Sequence, residues 1–136
     1  MNLLEFGTVP VINENDTVAT EEIKFGDNDT LAALVTNLIN AEKLIILTDQ
    51  HGVFDDDPRY NSNAVLIEKI HYQDERLERV AGKSGSSLGS GGMYSKVMAA
   101  KTATKSNTPT YIAWGREERV LTRIFEGQHV GTIIHC

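Results

Sequence analysis

An α/β fold with a largely parallel sheet and flanking helices is predicted by three features of this chain. Apolar runs suited to buried strands, Val9-Pro10-Val11-Ile12, Leu44-Ile45-Ile46-Leu47, Thr110-Tyr111-Ile112-Ala113-Trp114 and Gly131-Thr132-Ile133-Ile134, alternate with stretches of helical spacing. Polar residues crowd the carboxyl ends of the first two runs, Asn13-Glu14-Asn15-Asp16 and Thr48-Asp49-Gln50, and open α/β sheets bind ligands at such ends. A glycine-rich segment, Gly89-Ser90-Gly91-Gly92, stands directly before a run of small and apolar residues that spells a helix.

The elements follow in order. Thr8-Val9-Pro10-Val11-Ile12-Asn13 reads as a buried strand that delivers Asn13, Glu14, Asn15 and Asp16 to its carboxyl end. Residues 17–25 alternate loosely, Val18, Ile23 and Phe25 against Thr20, Glu22 and Lys24, and predict a hairpin or edge excursion. Gly26-Asp27-Asn28-Asp29 precedes Leu31, Leu34, Val35, Leu38 and Ile39, so the acidic cluster caps an amphipathic helix that ends near Asn40. Leu44-Ile45-Ile46-Leu47 is too short for a helix and too apolar for the surface, which predicts a central parallel strand covered on both faces. Residues 52–63 make a turn-rich loop, Val65-Leu66-Ile67 a short strand, and residues 74–81 a polar helix. After the glycines, Met93, Val97, Met98, Ala99, Ala100 and Ala103 mark the next helix. Residues 110–114 form a strand, 117–125 a helix with Val120, Leu121 and Ile124 on one face, and 131–134 a strand.

Size and charge bound the function. At 136 residues and 15.0 kDa the chain makes one domain at most. A net charge of −6, a pI near 5.1 and no basic run argue against nucleic acid or an anionic membrane as partner. No apolar run approaches the roughly 20 residues of a membrane span. The single cysteine, Cys136, rules out an internal disulfide framework and a cysteine-rich zinc site, in keeping with a cytoplasmic location.

The run Gly89-Ser90-Gly91-Gly92-Met93-Tyr94-Ser95-Lys96 carries the most chemistry. Three glycines in four residues let the backbone take positive φ and turn its N–H groups on an anion, and the following helix would aim its N-terminus at the same charge. Lys96 falls in the first turn or so. The run is not a Walker A loop, since Ser95 precedes and Val97 follows the lysine, and Tyr94 stands where a dinucleotide fingerprint needs its third glycine. On these residues alone a phosphate cradle and a flexible surface linker, extending back through Ser84-Gly85-Ser86-Ser87, both stay open. Asn28 and Asp29 likewise serve as helix caps or as ligand groups. Asp55-Asp56-Asp57 fits no EF-hand spacing and reads as a solvated acidic loop.

With Asn13-Glu14-Asn15-Asp16, Gly26-Asp27-Asn28-Asp29, Thr48-Asp49-Gln50, Asp57-Pro58-Arg59 and Ser90-Gly91-Gly92-Met93 through Lys96 in this order, the chain resembles the glutamate 5-kinase branch of the amino acid kinase family. The resemblance spans nearly the whole chain. It implies a three-layer α/β/α kinase domain, partial over residues 1–136, with glutamate-site elements in 9–29 and the ATP-binding portion in 43–136. It implies ATP- and magnesium-dependent phosphorylation of the L-glutamate side-chain carboxylate to γ-glutamyl phosphate, the first step of proline biosynthesis. Sister kinases for aspartate, acetylglutamate and uridylate share the fold, but the Asn-Glu-Asn-Asp and Gly-Asp-Asn-Asp pair points to the glutamate branch.

By the same resemblance Asp16, Asn28 and Asn13 bind glutamate, and Asp27 orients catalytic lysines. Thr48 and Asp49 contact the nucleotide, Ser90, Gly91, Gly92, Met93, Tyr94 and Ser95 line the ATP phosphates, and Lys96 neutralises their charge. Magnesium is left to ATP oxygens and water, with no protein ligand assigned. Phe54-Asp55-Asp56 departs from the family's usual Tyr-Thr-Ala before Asp57-Pro58-Arg59. The family's amino-terminal Lys-x-Gly phosphate loop and its small-residue glutamate loop have no counterpart in the sequence, and neither does the appended carboxyl-terminal domain of many members. The expectations are therefore a chain feeble as a catalyst by itself, and a missing amino-terminal half or self-association to cover exposed sheet. The alternative is a non-catalytic nucleotide-binding or oligomerisation module.

Overall fold

A computed structural model describes residues 10–12, 27–56, 58, 60–85 and 93–136. Four strands and four helices are built from them: α1 Asp27–Ile39, β1 Leu44–Thr48, β2 Lys69–His71, α2 Glu75–Gly85, α3 Met93–Lys105, β3 Thr110–Trp114, α4 Val120–Phe125 and β4 Thr132–His135. The strands form one sheet in the order β1-β3-β4-β2. β1 runs parallel to β3, with Leu44 opposite Thr110 and Thr48 opposite Trp114, and β2 runs parallel to β4. β3 and β4 meet antiparallel, so the sheet is mixed. Alternation along each strand sorts the two faces. Leu44, Ile46, Ile70, Ile112 and Ile134 join the core under α1, α2 and α3, whereas Ala113 packs with Val120, Ile124 and Val130 around α4 on the other face.

Helices α1 and α3 reach their strands by matched turns. Asn40 and Asn107 take left-handed φ values of 53° and 70° just past the two helices. Behind them Ala41 N–H bonds Thr36 C=O and Thr108 N–H bonds Ala103 C=O, both at 3.1 Å, closing the last turns as Schellman-type caps. Thr108 Oγ1 then donates to Ala41 C=O at 3.2 Å and stitches the turns together. Each reversal is short, so the N-termini of α1 and α3 lie at the same edge of the sheet as the carboxyl ends of β1 and β3.

Several expectations need correction. The stripe expected to anchor α1 is only partly buried: Ala33, Thr36 and Ile39 face inward, while Leu31, Leu34 and Leu38 are 48%, 55% and 73% exposed. The reason is α3, whose buried Ala99, Ala100 and Ala103 form a low surface that the small side of α1 can approach closely. Leu44-Ile45-Ile46-Leu47 is a strand as expected but borders the described sheet instead of lying within it. Val65-Leu66-Ile67 supplies one antiparallel bridge, Phe54 to Leu66, and the ladder falls on Lys69–His71. The helix expected over 117–125 begins at Val120, after Arg119 turns left-handed at φ 57°. Of the strand expected at residues 8–13, residues 10–12 are described and lie in no strand, with Val11 78% exposed. The hairpin expected at 17–25 lies outside the described residues.

The long loop between β1 and β2 is tied to the sheet by one hydroxyl. Thr132 Oγ1, fully buried on β4, accepts from Val53 N–H at 2.8 Å and donates to Ile67 C=O at 2.5 Å. Gly131 precedes it at φ +71°, where a β-carbon would collide with Ile112 C=O. Both the left-handed angle and the contact exclude a side chain. Gly131→Ala is expected to cost about 2–4 kcal/mol, read as a lower urea midpoint; a loss under about 0.5 kcal/mol would mean that β4 does not approach β3 this closely.

Candidate functional site

The first turns of α1 and α3 meet at the edge where β1 and β3 end. Asp29, in the first turn of α1, places Oδ2 2.9 Å from Ser95 Oγ, which donates to it, and 3.3 Å from Lys96 Nζ. The Asp29 and Lys96 side chains are 17% and 14% exposed, so the pair is largely shielded from water. Charge-assisted N–H···O bonds run nearer 2.7–2.9 Å. The lysine is thus held loosely while the serine is held well, and among the described residues the ammonium group has this one partner, which leaves two donors for a further anion. The backbone N–H groups that open α3 add positive potential at the same place.

The sequence-predicted residues divide around this trio. Lys96 and Ser95 belong to it. Met93 is buried in the core beside Val97, and Tyr94 is half exposed. Asn28 is half-buried next to Asp29, and Asp27 is the first residue of α1. Thr48 Oγ1 donates to Asp49 Oδ1 at 3.2 Å, so these two bond to each other at the end of β1 and not to the trio. Asn13, Asp16, Ser90, Gly91 and Gly92 lie outside the described residues.

Asp29 is what sequence reasoning left as a cap or ligand group without assigning it to Lys96. The available signal was positional: two helices that each lead by a short turn into neighbouring parallel strands must bring their first turns together. A second feature went unnoticed at the same edge. Beyond Thr48 and its register partner Trp114, an open cleft of about 170 Å³ is lined by His51, Leu66, Trp114, Glu117, Arg123 and Gly131. The His51 and Trp114 rings stand 4.8 Å apart at 49°. Arg123 holds Glu117 at 2.7 Å on the far wall. Among the described residues no three His, Cys, Asp or Glu side chains gather as a metal site, and no helix is long and apolar enough to cross a membrane.

Comparison with known proteins bears on the family and the fold. The model of the amino acid kinase family matches residues 1–113. The chain is 58% identical over 132 residues to a glutamate 5-kinase of Hydrogenovibrio crunogenus, covering 97% of this chain and 35% of the relative. It is 61% identical over 130 residues to a glutamate 5-kinase of Janthinobacterium, covering 96% and 35%. The chain therefore spans about a third of the length of these relatives. Among solved structures the fold is similar to a UMP kinase from Bacillus anthracis, with a TM-score of 0.61 and 23% identity, covering 79% of this chain and 40% of that one. A uridylate kinase from Archaeoglobus fulgidus gives 0.59 and 25%, covering 79% and 46%.

The ion pair makes its own prediction. A double-mutant cycle with Asp29→Asn and Lys96→Met is expected to show a coupling of about 0.5–2 kcal/mol in urea unfolding, as for contacting charged residues. Additivity within about 0.3 kcal/mol would mean that the two side chains do not hold one another in solution.

Proposed function

Because the chain belongs to the amino acid kinase family, we propose that it carries the ATP-side portion of a glutamate 5-kinase, which phosphorylates the side-chain carboxylate of L-glutamate to γ-glutamyl phosphate for proline biosynthesis in the cytoplasm. The observation that carries this reading is Lys96, held by Asp29 beside Ser95 at the opening of α3. Relatives named glutamate 5-kinase at 58% and 61% identity support the choice of substrate over that of the sister kinases.

Phosphoryl transfer asks for alignment and for charge placed where the moving group's oxygens become negative. Lys96 supplies that charge. Asp29 keeps the ammonium group near the carboxyl edge, taking the orienting part that the resemblance gives to Asp27. Asp27 then sits two residues ahead, with Asn28, Asn13 and Asp16 as the glutamate-binding set. Ser90 through Ser95 line the ATP phosphates with backbone N–H groups, the Met93 side chain being turned into the core, and Thr48 and Asp49 meet the nucleoside. The Trp114 ring in the cleft next to Thr48, with His51 tilted against it at 49°, offers an aromatic face for the base. Magnesium, bound chiefly by ATP oxygens and water, adds charge neutralisation without a protein cage.

In a full-length kinase containing this sequence, Lys96→Ala is expected to lower kcat by about 10²–10³ while the glutamate KM moves less than about threefold, in a coupled ADP assay with γ-glutamyl hydroxamate as product check. Unchanged turnover, or an aspartyl product in place of the glutamyl one, would overturn the assignment. The Lys96 ammonium group held by Asp29 also fits a second reading, a module that binds ATP without turning it over. The isolated chain is expected to bind ATP with negligible glutamate-dependent hydrolysis. Robust turnover by the isolated chain would show that no further segment is required.

A further inference from the structure

Away from the Asp29–Lys96 pair, the β2 side of the sheet holds two histidines. His71 and His135 are register partners at the carboxyl ends of β2 and β4. Ile70 and Ile134, one position earlier on each strand, point into the core under the helices, so alternation turns both histidines to the opposite face. Both are partly exposed, and their ring centroids stand 5.6 Å apart at 89°. The backbone is fixed behind them. Tyr72 N–H donates to His135 C=O at 2.8 Å, and the Tyr72 ring lies 5.0 Å from that of His71.

Hydrogen bonds decide where each neutral imidazole keeps its one lone pair. His135 Nδ1 is 3.1 Å from the main-chain oxygen of Cys136, which can only accept, so Nδ1 carries the hydrogen and Nε2 the lone pair. Metal-ligating histidines are commonly held in this way. His71 is set the other way round. Its Nδ1 accepts from Gln73 N–H at 3.0 Å, which puts the lone pair on Nδ1 and the hydrogen on Nε2. Gln73 is exposed, so water can take over its N–H at little cost if that lone pair is used elsewhere.

We propose that His71 and His135 form a two-histidine site for a late first-row divalent ion, zinc, nickel or copper, which ties β2 to β4. Imidazole nitrogen suits these ions. At metal–nitrogen distances of about 2.0–2.1 Å, two rings on one tetrahedral ion have centroids about 5–5.5 Å apart, close to the separation already present. His71 gives the Nδ1 lone pair and His135 that of Nε2, so both bonds form from neutral rings and neither loses a proton. Water fills the remaining positions. Among the described residues no third His, Cys, Asp or Glu joins the pair, which suits an exchangeable ion and not a closed structural site. The inference rests on the β2–β4 ladder and is independent of the proposed kinase activity.

Titration of the whole chain with zinc chloride, without nucleotide and followed by NMR, tests it. The His71 and His135 ring signals are expected to shift together and saturate at one ion per chain, and Gln73 N–H, deprived of its acceptor, to exchange faster. Magnesium at the same concentration is expected to move none of them, since it prefers oxygen ligands. His71→Asn and His135→Asn are each expected to weaken zinc at least about tenfold, because even outer-shell partners of a ligand are worth that much; His51→Gln and Cys136→Ser are expected to leave the affinity within about twofold. Absence of a saturable shift at the two rings in the unaltered chain overturns the inference. So does zinc affinity that both asparagine variants retain, or that Cys136→Ser abolishes.

Discussion

The close approach of α1 to α3 is the constraint on which the rest of the structure depends. It is made by small residues: Ala33 and Thr36 on one helix, Ala99, Ala100 and Ala103 on the other, all buried. Polar atoms inside this layer are largely satisfied within their own helices. Thr36 Oγ1 donates to Ala32 C=O at 2.7 Å and Thr104 Oγ1 to Ala100 C=O at 2.6 Å, so neither hydroxyl forces the helices apart. A leucine in place of Ala100 would need room that the layer does not have. With the helices wedged apart, Asp29 and Lys96 would lose their contact.

Under the proposed function, that contact is how an acidic chain would meet a phosphate. With a net charge of −6, the molecule gives an anion no general attraction, and the positive potential has to be made locally. Here it comes from one ammonium group and the opening of one helix, with an aspartate setting the lysine's direction. The aspartate partly cancels the charge it directs. The 3.3 Å separation softens this conflict, because a looser pair leaves more of the lysine's field for a ligand.

Much of the fold was legible because short-range pattern decides it. β1, β3 and β4 are apolar runs bounded by turns, and α3 follows its glycines as expected. What escaped was set by distant partners. The leucines of α1 carry the stronger periodic signal, yet the alanines of α3, some 66 positions onward, select the opposite side of the helix for burial. Val65-Leu66-Ile67 is the better strand by composition, but the ladder with β4 falls on Lys69–His71, whose partners Ile133, Ile134 and His135 lie far along the chain. At the site, lysine and glycines could be read from spacing, whereas the pairing of Asp29 with Lys96 spans 67 positions and needed the fold.

The strand order β1-β3-β4-β2 bears on how the molecule is made. β2 is synthesised before β4 yet bonds to no other strand of the described sheet, and Thr132 of β4 also fastens Val53 and Ile67. On the ribosome, then, a nascent chain with α1, β1, α3 and β3 already outside the exit tunnel still carries β2 and the loop before it unclosed. They wait for four residues that emerge after everything they must hold. Until those arrive, the half-made domain offers open strand borders to chaperones and to neighbouring chains, and its assembly finishes in one late step.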